Sequence, residues 1–126
     1  MAELQQKVEI ADEWSLLRRV RSDQHVPDGN GGKRPSSAAF RDPNMSVDAL
    51  ELLQRDGQDW DQTLSADPSA GVVTFPAGAA RALKQDVVHE PLDQNFAHTE
   101  VRGKKNATVA RELARVSRWL RQAPTD

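Results

Sequence analysis

The residues with the most chemical potential in this sequence are three histidines, two adjacent serines, a glycine-rich basic loop and a cluster of arginines near the C-terminus. Arg19 sits in the apolar run Leu16-Leu17-Arg18-Arg19-Val20, Ser37 opens the run Ser37-Ala38-Ala39-Phe40, and His98 alternates with Phe96 and Glu100. A buried arginine needs acceptors for its five donors, so something must face Arg19. If Arg19, Ser37 and His98 converged, Arg19 would hold an anionic group, Ser37 would orient it and His98 would transfer a proton near neutral pH. Dispersal of the three over the molecule is the favoured alternative, with Arg19 paired to a surface acid, Ser37 bonded to backbone and His98 packed.

Other motifs fail their spacing tests. The loop Gly29-Asn30-Gly31-Gly32-Lys33-Arg34 resembles a phosphate cradle, but a P-loop needs glycine where Pro27 stands and a hydroxyl where Arg34 stands. It reads as a hairpin loop whose glycines supply positive φ. His89-Glu90 begins a zinc-protease pattern, but Asp93 occupies the place of the second histidine. A hairpin could bring His89, His98 and Glu100 together, yet the favoured reading is packed or solvated histidines, with no metal and no cofactor. Ser36 and Ser37 have no nucleophile elbow around them, and their hydroxyls read as bonded to local backbone.

Between Arg102 and Arg121 the net charge is +6, which leaves −8 for the rest of a chain whose total is −2. Arg111, Arg115 and Arg118 fall at i, i+4 and i+7, on one face of a helix. Such a stripe suits phosphates, an acidic partner, or the acidic part of its own chain. Only Trp119 is interleaved with it, too little for a base-stacking platform, so nucleic acid is disfavoured and a protein partner preferred.

The elements that must position these residues read as follows. Strands are expected at 16–20, 36–40, 72–75, 86–89 and 96–101, the last two forming a hairpin about Pro91. Ser46 is placed to cap a helix from Val47 to about Asp56, ended by Gly57. Pro76 opens a short helix through Leu83. Asn106 caps a helix over 107–121 with Val109, Leu113, Val116 and Leu120 on its apolar face. The segment 58–66 shows no assignable pattern. Interspersed strands and helices argue for an α+β fold, one small mixed β-sheet with about three helices packed on it.

With 126 residues, the chain has room for one domain, spanning 1–126. Its longest apolar runs fall far short of a membrane span, and Met1 to Lys7 shows no basic-then-apolar leader. Without cysteine there are no disulfides, thiolate metal sites or cysteine nucleophiles, and a cytoplasmic setting is expected.

The run Arg34-Pro35-Ser36-Ser37-Ala38-Ala39-Phe40, followed by Met45-Ser46-Val47-Asp48 and by Ala97-His98 before Val101 and Gly103, resembles a group of short uncharacterised bacterial proteins. The likeness spans roughly 16–120 and implies a bacterial stand-alone domain, with no activity attached. A second likeness is to small ADP-ribosyl-transferase-type folds, including RES-type toxins that consume NAD. It implies roles for Arg19, Ser37 and Glu100 in that order, although the chain lacks tyrosine and any Glu-x-Glu pair. A non-catalytic interaction or accessory domain is the leading expectation, because no catalytic constellation meets its spacing test. The alternative is a small enzyme acting on NAD or another nucleotide.

Overall fold

The computed structural model describes residues 6–124; most of the Met1–Lys7 stretch read for a leader lies outside them. The first strand, β1, is Ser15–Val20. A short hairpin follows, β2 at His25–Pro27 and β3 at Lys33–Pro35, joined by the glycine loop. Then come β4 at Asn44–Ala49, α1 at Leu50–Arg55, β5 at Gly71–Pro76 and α2 at Ala77–Ala82. The chain closes with β6 at Asp86–His89, β7 at His98–Arg102, α3 at Ala107–Val116 and β8 at Arg118–Arg121.

Six strands form one sheet in the order β6-β7-β4-β1-β5-β8, and every neighbouring pair is antiparallel. With three helices beside it the fold is α+β, as the interspersed pattern implies. Strand parity sorts side chains by face. Leu16 and Val20 of β1, Met45 and Val47 of β4, Val73 and Phe75 of β5 and Val101 of β7 lie on one face, all buried. Phe40 meets Phe75 edge-on there, with ring centres 6.5 Å apart. Leu113 of α3 is fully buried in the same core. No helix among the described residues is long and apolar enough to cross a membrane.

Four sequence expectations change. First, the helix assigned to Val47–Asp56 begins at Leu50, because Met45, Val47 and Ala49 alternate inward as a strand between β1 and β7. Gly57, at φ +74°, ends it as expected. Second, Ser37–Phe40 is a 3-10 turn rather than a strand: Ser36 Oγ accepts from the Ala38 N–H at 3.1 Å, and Ala39 N–H closes on Ser36 O at 3.0 Å. Ala39 and Phe40 are nonetheless buried.

Third, the last helix stops at Val116. Ser117 turns to extended backbone, its hydroxyl bonds Leu113 O at 2.7 Å, and residues 118–121 pair with the free edge of β5. Leu120 therefore points to solvent, 40 % exposed, while Leu113 anchors the helix. Gly71 permits this edge: a Cβ there would lie 2.8 Å from Arg121 O. Fourth, segment 58–66 contains a 3-10 turn, Trp60–Leu64, opened by Asp59 accepting from the Trp60 N–H.

Candidate functional site

Two concavities matter, and they divide the candidate residues between them. The first opens where the two central strands part. β1 and β4 stay in register only at Leu16–Ala49 and Leu17–Asp48. Beyond that, the Arg18 guanidinium enters the gap, donating from Nη1 to Ser46 O at 2.9 Å and from Nε to Ala39 O at 3.1 Å. The gap widens into a cavity of about 430 Å³ lined by Arg18, Arg19, Ser46, Asp48 and His98, among others.

Asp48 assembles this cavity. One of its oxygens accepts from the Thr63 hydroxyl and the other from the Asn95 amide, both at 2.8 Å. The 60–64 turn and the 92–95 turn are thereby both tied to β4. Arg19 donates one bond, from Nη1 to Thr63 O at 3.2 Å, and is otherwise exposed. Of the two arginines it is thus Arg18, half-buried, and not the exposed Arg19, that meets the expectation of an inward-facing guanidinium. Alternation along β1 puts Arg18 on the side of buried Leu16 and Val20 and Arg19 on the other. Burial pushes the Arg18 pKa down, Asp42 opposes the shift, and Arg19 and Arg21 add to it.

His98 is held in one tautomer. Its Nδ1 lies 2.8 Å from Glu90 O, so that nitrogen donates, and Nε2 accepts the Ser46 hydroxyl at 3.2 Å. Glu100, two residues on, is drawn away from the cavity by Arg102 Nε at 2.8 Å. His89 lies on the opposite sheet face, 2 % exposed, with Nε2 at 2.6 Å from Phe96 O and Nδ1 accepting the Val8 N–H at 2.9 Å. The suggested gathering of His89, His98 and Glu100 does not occur.

The second concavity is a groove of about 710 Å³ between the β2–β3 hairpin and α3 with its exit into β8. Ser37 lines this groove and not the cavity that Arg19 and His98 share. Arg111, Arg115 and Arg118 line it together, although Arg118 belongs to β8 rather than to the helix, and Lys33 and Arg34 face them from the hairpin. Trp119 locks the two sides: its indole N–H donates to Lys33 O at 3.0 Å and its ring stacks on His25 at 4.5 Å. His25 in turn accepts the Ala123 N–H at 3.0 Å.

Arg115 is paired with Glu112 at 2.9 Å. Among the described residues, Lys33, Arg34, Arg111 and Arg118 make no ion pair. Four cations counted with this cluster in the sequence, Arg102, Lys104, Lys105 and Arg121, do not line the groove. Arg102 pairs with Glu90 and Glu100, and Lys105 is buried, bonding Val101 O at 2.8 Å and Gly103 O at 3.2 Å. The charge run is therefore part patch and part framework.

No protein-family model matches the chain, and none of the curated proteins or solved structures is significantly similar to it.

Proposed function

We propose that this protein is a non-catalytic interaction domain that holds an acidic segment of a protein partner in the groove between the β2–β3 hairpin and α3. The observation that carries the reading is the convergence of Lys33, Arg34, Arg111, Arg115 and Arg118, from three separate elements, on one groove with Glu112 as the acid among its lining residues. Glu112 bonds Arg115 and is the one acid lining the groove, so five cations there face a single carboxylate. An acidic partner supplies the missing counter-charge and gains in association rate by steering.

A polyanionic duplex fits less well. The body outside 102–121 carries −8 and repels it, and one face of the Trp119 ring is already covered by His25. The enzymatic alternative loses its residue set, because Ser37 lies in the groove and Glu100 is bound to Arg102 while Arg19 and His98 share the cavity. The resemblance to short bacterial proteins supports a bacterial origin, and the absence of cysteine suits a reducing cytoplasm.

The test is fluorescence anisotropy of a labelled glutamate- and aspartate-rich peptide titrated with the full chain. Binding that weakens roughly tenfold between about 0.05 and 0.5 M salt, and on Arg111→Glu, is expected. Salt-independent binding, absence of binding, or tighter binding of duplex DNA would refute the reading.

A further inference from the structure

We propose that the cavity opened between β1 and β4 binds a small, non-aromatic molecule bearing an oxyanion, carboxylate or phosphate, gripped by Arg19 with Arg18 behind it. This inference is independent of the groove and its partner.

The sheet is split at its centre, not frayed at an edge, and a guanidinium occupies the split. Arg18 has two carbonyl oxygens as partners and, among the described residues, no carboxylate within ion-pair distance. A half-buried cation satisfied by dipoles alone carries a desolvation cost that a counter-charge would offset. The lowered Arg18 pKa, caused first by burial, agrees with that deficit. Arg19 adds a second guanidinium at the same wall, with one hydrogen bond in use and the remaining donors free to meet two oxygens of one ligand group.

The cavity's own acid does not compete for those donors. Both Asp48 oxygens are engaged, by Thr63 and Asn95, in holding the two covering turns. The other uncommitted polar groups are the Ser65 hydroxyl and the amides of Gln58, Gln62 and Gln94, each able to donate and accept. They suit hydroxyl, amino or amide groups on the rest of a ligand. Apart from the His98 imidazole no ring lines the cavity, so a nucleobase has no stacking surface. A volume of about 430 Å³ lies at the small end of ligand pockets, roughly 300–1,000 Å³.

The experiment titrates the ¹⁵N-labelled full chain with inorganic phosphate and, separately, with succinate, each against sodium chloride of matched ionic strength. The Nε–H signals of Arg18 and Arg19 are followed. A saturable shift beyond the chloride control is expected with at least one probe, and the responding probe assigns the oxyanion. Arg19→Gln, at an exposed position that leaves the fold intact, should weaken it at least about tenfold, while Arg111→Gln in the groove should not change it. The proposal is overturned if neither probe exceeds the chloride control, or if Arg19→Gln leaves the affinity unchanged. Loss of peptide binding in the groove variants would bear on the partner reading alone.

Discussion

All three imidazoles are wired in the same sense, one ring nitrogen facing a backbone carbonyl and the other accepting a hydrogen. In His25 and His89 the hydrogen comes from the backbone near one chain end, Ala123 and Val8 respectively, so those two rings are fasteners. Only His98 takes its hydrogen from a side chain, and only His98 faces a cavity. Lys105 is a fastener of another kind, closing the end of β7 through carbonyls. Lys105→Met should leave buried Val101 O without that partner and lower stability by about 1–3 kcal/mol in urea denaturation; an unchanged midpoint would contradict this. Asp28 braces the hairpin loop by accepting from the Asn30 and Gly32 N–H groups, which hold its carboxyl below the usual carboxylate range. A carboxyl lowered on folding stabilises above its unfolded pKa of about 3.8, and that contribution is lost as pH falls through the folded value. The Asn30 and Gly32 amide resonances should therefore stay fixed from neutral pH to about pH 4 and move together below it. Movement of the pair well above that range would contradict the bracing role.

At the scale of elements, α3 is the rod on which the groove depends. Leu113 is its central core contact, fully buried, and Leu113→Ala should cost about 2–5 kcal/mol in a denaturant melt. A loss under 1 kcal/mol would mean that the helix is anchored elsewhere. Local signals for this rod were legible: Asn106 accepts from the Val109 N–H at 2.9 Å, as a cap should. The β5 run, the β6–β7 hairpin and the Pro76 helix start were equally legible, because β-branched residues and turn formers bound them. What was not legible depended on distant partners. Nothing local marks Ser117 as a stop, and the strand 118–121 exists because β5 offers an unpaired edge. Ser46 has the type of a helix cap, but its neighbours Met45 and Val47 are claimed by the sheet. The same limit hid the cavity: the strand gap at Arg18 and the Asp48 ties to Thr63 and Asn95 join residues 15 and 47 positions apart.

For the molecule as a whole, charge is partitioned by the fold rather than by sequence position. Arg102 and Lys105 are absorbed into the framework, while Lys33 and Arg34 join Arg111, Arg115 and Arg118 across the groove. A net-anionic body thus carries one concentrated cationic surface and, on a separate part of the sheet, a polar cavity. At physiological salt a charge acts over about 8 Å, so the groove attracts an acid locally while the body deters long polyanions. Chemical-shift mapping of the acidic peptide on the ¹⁵N-labelled chain tests this most directly. The account predicts shifts concentrated at Lys33, Arg34, Arg111, Arg115, Arg118 and the Trp119 indole N–H, reduced by added salt. Shifts centred on the β1–β4 cavity instead, or none at peptide saturation, would contradict it.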